Sequence, residues 1–248
     1  MSDLVTALLA AGMLVAAFGY ATVGHGGASA YLAALALAGV APPQMRPIAL
    51  VLNILVSALG TYKFHRAGYF RWRLFWPFAV VSIPLAFAGG AITLPGHAYK
   101  TLVGAVLVYA AWQLWLSARL GDEMRTVREP PLGSAMAVGA VLGFLSGLTG
   151  VGGGIFLSPL LLMMGWAGTK QTSAVAAPFI LVNSIAGLAG GFSMKSAQLP
   201  PQVAILAVAV LIGGWLGAEY GSRRFANPLV RRILAVVLAA AGAKMIFV

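Results

Sequence analysis

The chain has 248 residues, 60% of them hydrophobic and 8% charged, a balance that cannot cover the surface of a water-soluble domain and that reads as an integral membrane protein. It contains no cysteine, which excludes disulfides, thiol catalysis and thiolate metal sites. The formal net charge of +11 is carried by Lys and Arg in short loops between apolar runs, where such residues orient a membrane protein, so it implies no nucleic-acid partner.

In chain order the predicted segments are 4–21, 28–40, 47–63, 74–93, 98–117, 134–150, 154–166, 173–194, 201–221 and 229–247. The first has the apolar core of a signal peptide, but it lacks a basic leading region and runs into further apolar sequence, so it reads as retained. Most segments approach the ~20 residues that cross ~30 Å of hydrocarbon. Segments 28–40 and 154–166 do not, since thirteen helical residues reach only about 20 Å. The runs are continuously apolar rather than alternating, which favours an all-α bundle over strands. No polar segment is long enough for a second domain. One membrane domain, 1–248, is expected, with a cytoplasmic linker at about 120–133 between a first repeat (about 4–119) and a second (about 134–248).

The repeat rests on matched residues. Gly19, Val23, Gly24 and Gly26 correspond to Gly147, Val151, Gly152 and Gly154, and Asn53, Gly60 and Ala67 to Asn183, Gly190 and Ala197. Each half then reads as a glycine-broken re-entrant segment or short helix pair followed by three transmembrane helices. The charges bear on its orientation. A single crossing at each broken run divides the 16 Lys and Arg residues 9 to 7, which is no bias. A run that returns to its starting side puts Lys63, Arg66, Arg71, Arg73, Arg119, Arg125, Arg128, Lys170, Arg223, Arg224, Arg231 and Arg232 on one face, 12 against 4. That face is then cytoplasmic and both termini lie outside. Three full crossings per half make the repeats inverted.

The breaks themselves, GYATVGHGGAS at 19–29 and GLTGVGGGIF at 147–156, need a reason, because irregular backbone at membrane depth survives only where it is buried in protein or lines a wet cavity. Helices beginning near Ala28 and Ile155 would point their N-termini, each worth roughly half a positive charge, into the membrane interior. That arrangement suits a small anion. Gly24, Gly26, Gly27, Gly152, Gly153 and Gly154 allow positive φ and close approach of a ligand to backbone N–H groups. Ser29 and Ser158 add hydroxyl donors near the helix starts, and Pro159 suits a helix start.

Among the polar residues, His25 is the histidine at membrane depth, with His65 and His97 assigned to loops. An imidazole changes charge in the physiological range, so a coupling proton is a candidate partner. Asn53 and Asn183 fall in matched helices and line the cavity or hold helices together. Gln44 with Arg46, and Lys170 with Gln171, stand before matched helices on opposite faces as candidate gates, or as interfacial anchors. Glu219 near Arg223 reads as a local pair. Trp72, Trp76, Trp112, Trp115 and Trp166 read as interfacial belts.

The VGHGG and VGGG breaks, the PPQMRP segment and the tandem Asn-bearing helices resemble, over essentially the whole chain, the sulfite exporter TauE/SafE family, also called toluene sulfonate uptake permeases. The resemblance implies a transporter of sulfite, sulfonates, sulfoacetate or similar anions in a bacterial cytoplasmic membrane. His25 stands where the resemblance leads one to expect glycine. A membrane enzyme is disfavoured because Asp3, Asp122, Glu123, Glu129 and Glu219 are terminal or near the surface and assemble no acid–base pair. No cofactor or metal site is expected. An anion channel, or a carrier of another small anion such as a carboxylate, remains the alternative, and the sequence leaves the oligomeric state open.

Overall fold

The computed structural model describes residues 3–117, 128–194, 199–223 and 228–247. Within them are ten helices and no strand: α1 (Asp3–Ala21), α2 (Ala28–Leu37), α3 (Pro42–Arg66), α4 (Trp72–Ala91), α5 (Gly96–Ser117), α6 (Leu132–Thr149), α7 (Gly154–Met163), α8 (Thr169–Ser193), α9 (Val203–Arg223) and α10 (Pro228–Phe247). Six of them, α1, α3, α4, α6, α8 and α9, are long and apolar enough to cross a membrane. The protein is an integral membrane protein, as its composition requires. The acidic residues Asp122 and Glu123, with Arg119, Arg125, Arg224, Lys195 and Ala197, lie outside the described residues.

Element boundaries shift for identifiable reasons. α3 begins five residues before its apolar run, because Pro42 and Pro43 occupy the first helical positions, where a missing N–H costs nothing. α7 begins at Gly154, so Pro159 sits inside the helix instead of at its start. There its absent N–H leaves the Ile155 carbonyl without an intrahelical partner. His65 and His97 belong to the last turn of α3 and the first turn of α5, not to loops.

Glycine lets the helices lock backbone to backbone. Gly213, Gly217 and Gly221 of α9 lie against the carbonyls of Leu14 and Phe18 of α1 and of Thr22 just past its end, in that order, so these helices run parallel. Gly139, Gly143 and Gly147 of α6 lie against the carbonyls of Phe78, Ser82 and Ala86 of α4 in the same way. The first helix of one half thus packs on the fourth helix of the other, twice. α3 and α8 run antiparallel, with Leu50 beside Gly187 and Gly60 beside Ala177 and a hydrogen bond between Asn53 and Ser184. α5 and α10 are antiparallel through Gly104 against Ile246 and Gly242 against Val108. α3 and α9 are parallel, with Val56 at Gly214 and an ion pair between Lys63 and Glu219.

The two short helices start inside this bundle. Both are ten residues long, about 15 Å, and both follow a glycine in the left-handed region, Gly27 at φ 97° and Gly153 at φ 78°.

Candidate functional site

Where the two broken segments meet, His25 Nε2 and Ser158 Oγ share a hydrogen bond of 2.7 Å. His25 belongs to the first break and Ser158 to α7 of the second half, so the contact joins the halves at the N-terminal ends of both short helices. A Cβ built on Gly154 would lie 3.4 Å from His25 Cδ2 and strike Ile180. Gly24, Gly150 and Gly152, with φ of 74°, 85° and 81°, take backbone conformations that a side-chain-bearing residue adopts only at a cost. These turns bring the chain back from α1 and α6 toward the start of α2 and α7.

Each N-terminus leaves amides open. A helix has no internal partner for its first four N–H groups. In α7, Phe156 and Leu157 turn back to the Gly153 carbonyl at 3.1 Å, and among the described residues Gly154 and Ile155 N–H have no partner. In α2, Ala28 N–H donates to Asn53 Oδ1 at 3.3 Å and Tyr31 N–H to the Gly27 carbonyl at 3.0 Å. Asn53 is fully buried, and its Nδ2 donates to Ser184 Oγ at 2.9 Å. One side chain therefore holds the first N-terminus to α8 of the other half. Gly26 and Gly152 flank it: a Cβ on Gly26 would fall on Asn53 Oδ1, and one on Gly152 would fall on Asn53 Nδ2.

A model of the family described as sulfite exporter TauE/SafE matches residues 8–245. The chain belongs to the TauE/SafE family. The probable membrane transporter protein y4hK of Sinorhizobium fredii is 42% identical over 241 residues, which cover 96% of this chain and 97% of that protein. The probable membrane transporter protein ORF9 of a Sinorhizobium species is 25% identical over 252 residues, 99% and 95% of the two chains. No solved structure matches. This TauE/SafE protein is a membrane transporter, and no enzymatic activity is indicated by its family or relatives.

The remaining site residues fall in different places. Ser29, 2% exposed, donates its hydroxyl to Tyr20 Oη at 2.8 Å, which ties α2 to α1. Asn183, matched to Asn53 in sequence, turns Nδ2 back to the Phe179 carbonyl of its own helix at 2.8 Å; its fully buried Oδ1 has no partner among the described residues. Arg46 donates to the carbonyls of Gly90 at 2.8 Å and Ile92 at 2.9 Å. Lys170 donates to those of Gly221 at 2.7 Å and Ser222 at 3.3 Å. Gln44 lines a cavity of about 280 Å³ with Gln202 and the ends of α2, α3 and α9. The Gln171 amide faces Arg71 Nε and Nη2 at 3.2 and 3.3 Å.

Three contributors were not singled out from the sequence. Tyr31 Oη donates to the Gly26 carbonyl at 2.7 Å and so fixes the backbone just ahead of α2. Ser184 completes the Asn53 link. Lys63 extends the Glu219–Arg223 pair, 2.5 Å apart, across to α3 and lies 3.8 Å from the Trp215 ring centroid. The tyrosine carries a usable signal, a phenol in a short helix that is apolar apart from Ser29, where a buried hydroxyl must find a partner.

Proposed function

We propose that this transporter carries small sulfur-containing oxyanions, of the sulfite, sulfonate or sulfoacetate type, by alternating access, and that the anion binds between the starts of α2 and α7. The observation that carries the reading is the His25–Ser158 contact of 2.7 Å at two helix N-termini with open amides. Two such termini offer together about one positive charge, which compensates a buried anion without a lysine or arginine inside the span. Ser29, Asn53, Ser158 and Asn183 are the neighbouring polar groups. Dipoles also release an anion more readily than charge-assisted pairs do, as a carrier requires.

The exchange of packing between halves, α1 on α9 and α6 on α4, together with antiparallel α3/α8 and α5/α10 pairs, supports inverted repeats with the site at their interface. The 12 to 4 division of cations supports a bacterial cytoplasmic membrane location with both termini outside.

Binding is tested by thermal unfolding of purified protein with sulfite, thiosulfate, sulfoacetate, taurine, sulfate or a carboxylate. A bound anion at 100-fold over its Kd stabilises by about 2.7 kcal/mol. Gly154→Val, which crowds Ile180 and His25, is expected to remove the stabilisation by sulfur oxyanions. Undiminished stabilisation in Gly154→Val would move the site away from the breaks, and stabilisation by carboxylates alone would change the substrate class.

A further inference from the structure

The hairpins α3/α4 and α8/α9 are each joined by chain at one end, and each is spanned by a single cation at the other. α3 and α4 connect through residues 67–71 and pack little on one another. At their open end Arg46 of α3 reaches the carbonyls of Gly90 and Ile92, at the C-terminus of α4. α8 and α9 also pack little on one another. At their open end Lys170, in the first turn of α8, reaches the carbonyls of Gly221 and Ser222, in the last turn of α9. α3 and α8 are antiparallel, so the two cations sit at opposite ends of the bundle.

Each cation also lies over the break of the other half. Gly150, at the end of α6, rests against Arg46, with Cγ 2.9 Å from the place of a Cβ. Gly24 rests on the backbone of Ser173, one turn from Lys170, and the Thr22 carbonyl lies on Gly221 beside the carbonyls that Lys170 holds. The same device thus appears twice: a hairpin mouth, the opposite half's break inside it, and a cation strapped across.

We propose that Arg46 and Lys170 are the two gates of the transport cycle, Arg46 closing the mouth of α3/α4 at one face and Lys170 the mouth of α8/α9 at the other. Both straps are made in this structure, and the His25–Ser158 contact is closed between them, as in an occluded state. A cation on the last carbonyls of a helix is favoured by the dipole, yet a carbonyl is a weaker partner than an oxyanion. An anion arriving at one mouth draws that cation off its helix and opens that gate, while the other strap, out of reach, stays closed. This inference rests on the alternating-access reading.

Because the chain has no cysteine, single reporters can test it in the full protein in lipid vesicles. Thr149→Cys lies at the Arg46 mouth and Ser173→Cys at the Lys170 mouth, both buried. Arg46→Gln, which loses the charge-assisted bonds to Gly90 and Ile92, is expected to raise the rate of thiol modification at Thr149→Cys about ten-fold or more, and to leave Ser173→Cys unchanged. Lys170→Gln is expected to do the reverse. If Arg46→Gln does not fold, Arg46→Lys carries the test, since it keeps the charge and loses the two-pronged fork; the same face responds, by about three-fold. Acceleration at both faces, at neither, or at the wrong one overturns the gates and leaves helix caps. Sulfite uptake is measured in the same vesicles. Absence of uptake with face-specific reactivity refutes the substrate reading and not the gates; uptake without face-specific reactivity refutes the gates alone.

Discussion

His25 stands at the point where the halves touch, and its imidazole is the side chain there of the type that exchanges protons. Tyr20, with its ring centroid 6.1 Å away, and Ser158 are its neighbours on α1 and α7. A proton gained at His25 leaves the Ser158 pairing possible, with the imidazole as donor, and adds a positive charge beside the proposed anion. His25→Gln keeps a hydrogen-bonding partner for Ser158 and removes the titration. Expression and fold are expected to survive, while the pH dependence of transport changes; a profile identical to wild type would make the contact purely structural. At this scale the sequence was most informative for glycine, because Gly24, Gly27, Gly152 and Gly153 all have positive φ that few other residues tolerate. It was least informative for asparagine. Asn53 and Asn183 match in sequence, but the first bridges a helix start to another helix and the second bonds within its own, a difference decided by neighbours distant in the chain.

Helix by helix, length and composition were enough to find ten segments, and the two short ones were legible because thirteen residues cannot span hydrocarbon. The ends were less so, since α3 extends through two prolines that hydropathy treats as a boundary. Partner choice was not legible, because small residues permit close packing without saying against what. The folded structure supplies the partners. Gly143 presses on the backbone of Ser82, with the Cα of Ser82 2.5 Å from the place of a Cβ, so Gly143→Val must separate α6 from α4. A loss of roughly 2–3 kcal/mol is expected, read as a lowered unfolding midpoint. Gly12 has nothing within 4 Å of such a Cβ, and Gly12→Ala is expected to be neutral or slightly stabilising. Equal effects at the two positions would mean that the glycine contacts contribute nothing beyond helix propensity.

For the whole molecule, two independent lines support the proposed topology. The first is charge: twelve of the 16 Lys and Arg residues share a face only if each broken segment returns the chain to its starting side. The second is helix direction, which uses no charges at all. α1, α3 and α9 run parallel and α8 runs opposite to α3, so the stretch from Thr22 to Leu37 must carry the chain back across the bundle between α1 and α3. Its far end is marked by Lys244 of α10, which donates to the carbonyls of Ala36 and Leu37 at 3.1 Å. Lys63, Glu219, Gly221 and Lys170 then gather at one face and Arg46, Gly90 and Lys244 at the other. Carried through the short connections, the same directions bring Asp3 and Phe247 to the Arg46 face, the outer one in the proposed orientation. Ala67, after α3, and His97, at the start of α5, are exposed at opposite faces. In intact cells His97→Cys is therefore expected to react with a membrane-impermeant thiol reagent and Ala67→Cys only after the membrane is opened. Reaction of both from outside would remove the inverted arrangement, and with it the facing helix starts on which the anion site depends.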